Sequence, residues 1–410
     1  MINVVAKRML VLIVPATILV ATYLYVPHLA KLKPAHREIF EILPYLVSAM
    51  GMLLATHFHR GRPFLALLLL VGFYWCFRTF VIDVANKNGI NGIFHVFVVL
   101  LPINYALIGL MREKGVFSYA GRIRLIFMTL QCGIAYWLFS YYTVEVMPLI
   151  SKKYALLPFL DSCIVPQTAL ILGALSFLLI ALLAIRRQTP VDGGLLGALT
   201  AFFVASNGIT NSDMFISFTA AGAVIVTLSI LLDSYNMAFC DDLTGIPSRR
   251  ALNEYLHGLG RRYVIAMLDV DHFKQFNDNY GHEVGDQVLK MVARKMRDVG
   301  GGGKAYRYGG EEFAIIFPGR RLDDAIPHLE KLREEIAEYS LALRNQERPK
   351  AQRQGRGQRG SRKDIEYASV TISIGVAESD EELKTSVMVM KAADMALYKA
   401  KNRGRNRVCR

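Results

Sequence analysis

Cysteine is scarce and scattered. The five in 410 residues are Cys76, Cys132, Cys163, Cys240 and Cys409, and no two stand at the spacing of a zinc site or of a disulfide framework. Acid is also in deficit, with 34 Asp and Glu against 48 Lys and Arg and a net charge of +14. The deficit is uneven. Residues 1–232 hold 17 Lys and Arg with 8 Asp and Glu, leaving 31 and 26 for the remainder, which is therefore only about +5. A surplus that small does not argue for nucleic-acid binding, and no nucleic-acid partner is expected. A small-residue cleavage site is missing after the first apolar run, so that run is expected to remain as a membrane helix rather than act as a cleaved leader.

Apolar residues, by contrast, are abundant: 53% of the chain, with a mean hydropathy of +0.30. That is too apolar for one soluble globule, and the excess lies in the first half. From Met9 to Leu232 the sequence is a succession of apolar runs of roughly 20 residues, each long enough to cross a bilayer. The runs predict eight spans near 9–29, 38–57, 64–83, 92–111, 124–143, 166–185, 194–210 and 214–232. The last two are separated only by the polar stretch Asn207–Asp213, read as a tight turn or an interruption in one re-entrant unit.

With eight spans, one side carries Lys7, Arg8, Arg60, Arg62, Arg112, Lys114, Arg122, Arg124, Arg186 and Arg187. The other carries Lys31, Lys33, Arg37, Lys87, Lys152 and Lys153. The positive-inside bias then predicts both termini in the cytoplasm. Arg78 and Asp83 fall near the end of the third span, where an ionisable group is a functional candidate, although an arginine at a helix end commonly snorkels to the interface. His57 and His59 flank a loop and read as structural.

After Leu232 no Pro or Gly interrupts Asp233–Asp242, so the last membrane helix is expected to run toward the soluble part and could transmit a rotation. Tyr263–Leu268 is a short apolar strand ending in Asp269-Val270-Asp271, and carboxylates at a strand end are placed to hold a metal against phosphate. Val288, Leu289, Val292 and Met296 share one face of a following helix. The organising stretch is Ala305–Phe317, two β-prone runs around Gly309-Gly310-Glu311-Glu312. This is a hairpin whose turn crowds acid, a costly arrangement unless a cation sits there; the two glycines supply positive φ or a close backbone approach. Asp323–Tyr339 is an amphipathic helix, Arg344–Lys363 a solvated basic loop with eight Lys and Arg, Tyr367–Val376 a strand and Thr385–Lys401 a last helix. The order strand, helix, hairpin, helix, strand, helix predicts an α+β sandwich.

Six blocks in order carry a resemblance: Asp242–Arg250, Asp269–Asp278, Gly281–Asp286, Arg307–Phe313, Thr371–Ala377 and Ala396–Asn406. Residues 242–410 resemble the GGDEF domain of diguanylate cyclases, with 1–232 as an all-α polytopic membrane sensor domain and 233–241 as a short signalling linker. The resemblance implies the palm-like sheet of class III nucleotidyl cyclases and condensation of two GTP into cyclic di-GMP with release of two pyrophosphates. It implies Asp269, Glu311 and the Val270 carbonyl as ligands of two Mg²⁺ (or Mn²⁺), and Glu311 as the base for the attacking 3′-hydroxyl. Lys274, Lys401 and Arg405 are implied as phosphate partners, Asn277 and Asp286 as guanine readers, and His282 as a further substrate contact. Glu312 supports the site electrostatically with Gly309 and Gly310. It also implies a homodimer, because each half-site holds one GTP, and a bacterial inner-membrane location in contact with lipid, with an unidentified sensory ligand.

Two departures and two alternatives belong beside it. Product-inhibited members carry Arg-x-x-Asp ending five residues before the signature turn; Gly300 and Gly303 stand there instead, so inhibition through that site is not expected. Arg344–Lys363 looks like an insertion. A silent GTP or cyclic di-GMP receptor, normally marked by a damaged turn or a retained product site, and a transporter with an appended regulatory domain are the competing readings.

Overall fold

The computed structural model describes residues 4–29, 31, 33–81, 92–141, 148, 150, 163–343 and 366–410. Asp83 and the basic loop 344–363 lie outside these residues. The chain divides into two compact units, Met1–Ser234 and Tyr235–Arg410.

Unit one is helical: α1 (Val4–Leu29), α2 (Pro34–His57), α3 (Gly61–Cys76), α4 (Gly92–Leu110), α5 (Tyr119–Tyr141), α6 (Gln167–Arg187), α7 (Pro190–Asn207) and α8 (Ser212–Phe239), the last continuing unbroken past Ser234. A π-helical turn, Phe77–Val81, extends α3. Five of these helices are long and apolar enough to cross a membrane: Val11–Leu29, His36–His57, Gly61–Thr79, Gln167–Arg187 and Ser212–Phe239; Phe94–Leu110 is apolar but shorter. Helix α5 opens on Arg122 and Arg124, and α7 has only 18 residues. The expected break between the last two runs is a short turn closed by Gly208, not a continuous unit.

Helix α8 is apolar all round and 78% of its most apolar stretch is buried, against 6% for α1. Phe215 of α8 is the hub, with the rings of Phe77 (3.6 Å), Phe73 (5.4 Å) and Tyr74 (5.9 Å) against it. The outward faces keep large apolar groups such as Leu24, Leu53, Leu130 and Leu175. So much contiguous apolar surface is foreign to a water-soluble monomer.

Among the described residues, the ion pairs gather toward the helix ends. At one end Arg62 is buried and pairs with buried Asp192, while its Nε donates to the Ile108 carbonyl (3.0 Å) and the Arg187 guanidinium donates to the Gly109 carbonyl (2.8 Å). Glu113 accepts from the Gly61 and Arg62 amides (2.7 and 3.0 Å), and Arg60 pairs with Asp233 of α8 (2.7 Å). At the opposite end Arg37 pairs with Asp213 and Arg78 with Glu41, both at 2.8 Å. Arg78 therefore has a carboxylate partner rather than reaching outward alone.

Unit two is a five-stranded sheet in the order β2-β3-β1-β6-β7: β1 (Tyr263–Val270), β2 (Lys304–Gly309), β3 (Glu312–Pro318), β6 (Ile372–Glu378) and β7 (Val408–Cys409). Only the β6–β7 pairing is parallel. A second pair, β4 (Leu341–Leu343) with β5 (Glu366–Ala368), stands apart from it. The single strand expected over Tyr367–Val376 is thus two: β5 pairs with β4 and β6 with β1, and residues 369–371 pass between the two partners.

Every residue of β1 is buried, since helices cover both faces of the sheet. Val264, Ala266, Leu268 and Val270 face Val288, Leu289, Val292 and Met296 of α11 (His282–Arg297) and Leu329, Leu332 and Ile336 of α12 (Leu322–Ala337). Tyr263, Ile265 and Met267 face Leu252 of α9 (Arg249–His257) and Val389, Ala393 and Leu397 of α13 (Ser386–Asn402). The period of two puts Asp269 on the α13 side. A short α10 (Phe273–Tyr280) follows β1.

The buried Arg62–Asp192 pair yields a stability test. Arg62→Met leaves the buried Asp192 carboxylate with only the more distant Arg187 guanidinium (3.8 Å) and the Thr189 hydroxyl, so the detergent-solubilised protein is expected to lose about 2–4 kcal/mol of stability. Arg62→Met combined with Asp192→Leu should recover most of it. Unchanged unfolding of the single variant by scanning calorimetry would contradict the pairing.

Candidate active site

Alternation carries β1 to a carboxylate at its end. Asp269 is 7% exposed and sits opposite Glu312 of β3 and Ser373 of β6. Lys401, near the end of α13, reaches Asp269 Oδ1 at 2.9 Å. The Val270 amide donates to the Glu311 carbonyl (3.4 Å), which brings the signature turn against the end of β1. Of the two glycines, Gly310 takes the left-handed φ of +43°, and the strand register shifts between Arg307 and Gly309. Gly309 belongs to β2 without a positive φ.

The electrostatics record the crowding. Burial pushes the Asp269 carboxyl above its ordinary value, Glu311 and Asp271 push the same way, and Lys401 opposes them. Glu312 is raised by burial first and then by Asp269. Among the described residues no three His, Cys, Asp or Glu side chains converge on one point. Two carboxylates with a carbonyl are nevertheless a hard-oxygen donor set of the kind Mg²⁺ uses when substrate phosphates complete its shell. The raised carboxyls of Asp269 and Glu312 mark a place short of positive charge, so the residues fit such an ion.

The residues expected to read guanine lie on α10 and α11. Asn277 Oδ1 is buried without a hydrogen-bond partner among the described residues and packs directly against Gly285, where any Cβ would occupy its place. A buried acceptor without a donor is costly, and an incoming base could satisfy it. Asp286 and His282 are exposed, as is Lys274 on α10. Arg405 follows α13 in a left-handed loop, with φ of +105°, +63° and +45° at Gly404, Arg405 and Asn406. The structure thus brings Asp269, Glu311, Glu312 and Lys401 together, while the side chains of Lys274, His282, Asp286 and Arg405 make no hydrogen bond to them among the described residues.

Two residues without a sequence-assigned role are structurally central. Arg307 donates through Nη2 and Nε to the Gly310 carbonyl (2.7 and 3.1 Å) and through Nη1 to Asp241 (2.8 Å). It therefore joins the signature turn to the first turn after α8. Burial alone would raise the Asp241 carboxyl, but hydrogen bonds from Thr244 and Arg307 hold it below the ordinary carboxylate range. Asp271 is the second. Its parity with Asp269 was visible in Asp269-Val270-Asp271, but its partners were not.

The raised Glu312 carboxyl sets a sign. Its folded pKa exceeds the unfolded one, so the fold loses stability as pH rises from the ordinary value of 4.5 through the raised one. Glu312→Gln is expected to raise the unfolding temperature of the metal-stripped protein at neutral pH by a few degrees, and the gain should vanish below the ordinary value. Calorimetry across that window checks this; a gain independent of pH would refute crowding as its cause.

Comparisons with known proteins address the same residues. The family model described as "Diguanylate cyclase, GGDEF domain" matches residues 238–407. The chain is similar to "Diguanylate cyclase VdcA" of Vibrio cholerae, 38% identical over 175 residues, covering 42% of this chain and 46% of that one. It is similar to "Response regulator PleD" of Caulobacter vibrioides, 34% identical over 183 residues, covering 43% and 36%. The solved coiled coil and GGDEF domain of DgcB from Caulobacter crescentus is 34% identical, with 44% of this chain and 88% of that one covered and a TM-score of 0.37. The chain spans less than half the length of the two curated relatives. Residues 238–407 of this chain belong to the GGDEF domain family of the diguanylate cyclases.

Proposed function

We propose that this chain is a membrane-inserted diguanylate cyclase that condenses two GTP into cyclic di-GMP and two pyrophosphates. One observation carries the reading: the signature turn lies against the end of a fully buried strand, where Asp269 and Glu312 are short of positive charge and share Lys401. The relatives named as diguanylate cyclases support it.

In this reading Asp269, Glu311 and the Val270 carbonyl hold Mg²⁺, which supplies charge stabilisation at the phosphoryl oxygens when bound. Glu311 accepts the proton of the 3′-hydroxyl as its oxygen attacks the α-phosphorus of the second GTP. Pyrophosphate leaves, and the same step repeats in the other direction. Lys274, Lys401 and Arg405 neutralise phosphate charge as it develops. Lys401 is poised for this, since cation and triphosphate arriving together would release it from Asp269. Asn277 and Asp286 read guanine: a carboxylate accepts from N1–H and the exocyclic amine, and adenine offers no N1 donor. His282 is a further substrate contact. Attack between two bound GTP requires two half-sites to face each other, hence a homodimer.

The apolar faces of unit one fit insertion in a bacterial inner membrane, in contact with lipid. The excess of Lys and Arg at the Arg60, Arg62 and Arg187 end supports a reading in which that end, and both termini, are cytoplasmic. The domains are then a membrane sensor (1–232), a linker (233–241) and a catalytic domain (242–410), with the sensory ligand to be identified. The competing receptor reading would bind GTP without turnover.

Full-length protein in membranes, incubated with Mg²⁺ and radiolabelled GTP, is expected to yield cyclic di-GMP, and a Glu311→Gln copy to lose at least about 10²-fold in rate. Bound GTP without product from the wild type would favour the receptor. Asp286→Ser is expected to erode the preference for GTP over ATP by about 10²-fold or more, measured as the ratio of kcat/KM values. Micromolar cyclic di-GMP should leave the rate unchanged, because the turn at Gly300–Gly303 offers neither guanidinium nor carboxylate; tight inhibition would contradict this.

A further inference from the structure

The second carboxylate of Asp269-Val270-Asp271 has no part in the mechanism above, yet it is 6% exposed and fully engaged. Asp271 Oδ1 accepts from Ser373 Oγ (2.6 Å), and Oδ2 accepts from Thr371 Oγ1 (2.7 Å) and from the Asn406 amide (3.1 Å). Ser373 and Thr371 are local to β6. The Asn406 amide is not: it belongs to the loop after α13, 135 residues away in sequence.

That loop is the unusual part. Arg405 and Asn406 are consecutive non-glycine residues in the left-handed region, a conformation that persists only where the surroundings over-determine it. The Arg405 amide donates to the Ala400 carbonyl (3.0 Å), and the Arg407 carbonyl accepts from the Ile374 amide (2.9 Å). The Asn406 side chain accepts from Arg333 (3.1 Å) at an exposed site. Asp271 supplies the one buried, charged acceptor to the loop backbone among the described residues, and a charged acceptor makes the stronger bond.

We propose that Asp271 is a positioning residue for the cyclase reaction: by holding the Asn406 amide it fixes the left-handed backbone from which Arg405 reaches the triphosphate. This rests on the diguanylate cyclase reading and on the role given there to Arg405. Asp271 touches neither substrate nor metal in this account. It acts through the loop, which explains why a buried carboxylate stands two residues from Asp269 in a site already crowded with acid.

The test is a double-mutant cycle on the full-length protein in membranes. Asp271→Asn keeps the shape but removes the charge, so the bond to the Asn406 N–H becomes at best a weaker, neutral one. It is expected to lower kcat/KM for GTP about tenfold, chiefly through KM. In an Arg405→Ala background the same change should cost less than about twofold. A loss that persists undiminished in that background would mean general support of the fold and would overturn the proposal. So would an Asp271→Asn protein with wild-type KM. Binding of a fluorescent GTP analogue is run on all four proteins. If the wild type turns out inactive, the cyclase reading fails on its own, and coupling or additivity in the binding data still decides whether Asp271 acts through Arg405. Thermal unfolding of the four proteins separates misfolding from mispositioning.

Discussion

The arrangement depends on like charge gathered at low dielectric. A strand buried along its whole length ends in Asp269, with Glu312 opposite and Glu311 in the adjoining turn, and one lysine answers them. Such a cluster is unfavourable in the free protein and favourable once cationic charge enters. The covering helices make the strand end dry enough for this to matter, and α13 delivers Lys401 because the period of two turns Asp269 toward that helix. Stability is thereby given up locally at this strand end, and the apolar layers on both faces of the sheet offset the loss.

Arg307 ties this cluster to the start of the domain. One guanidinium serves the Gly310 carbonyl and the Asp241 carboxylate, so the geometry of the signature turn and that of the turn following α8 are not independent. In unit one α8 is the most enclosed of the five membrane-length helices, with three aromatic rings on Phe215 and an ion pair from Arg60 to Asp233. Its contacts are those of a helix whose displacement would disturb the whole bundle. The charged groups of that bundle are paired at the helix ends, leaving the outer faces apolar, as a bilayer solvent demands.

Much of this is legible in the sequence. The apolar runs mark the helices of unit one because a run of that length has few alternatives, and the alternation through Tyr263–Asp269 places a carboxylate at a strand end. The Gly-Gly-Glu-Glu turn announces a hairpin with an acid load. Other features resisted. Tyr367–Val376 reads as one strand, since nothing local marks that Tyr367 pairs with β4 while Ile372 onward pairs with β1. Gly309 and Gly310 read alike, although only the second takes a positive φ, because the bulge that distinguishes them is a property of the paired strands.

The sequence by itself determined the division into an apolar helical half and an α+β half, and the strand ending in acid. These follow from composition and short-range period, which the chain carries wherever it folds. Only the tertiary structure decided that Lys401 meets Asp269, that Asn277 lodges against Gly285, that Arg307 spans Asp241 and Gly310, and that Asp271 holds the Arg405 loop. Most of these contacts join segments tens to more than a hundred residues apart, and even the short Asn277–Gly285 step depends on how two helices pack. Their partners are chosen by sheet order and helix packing, not by any pattern that neighbouring residues can spell.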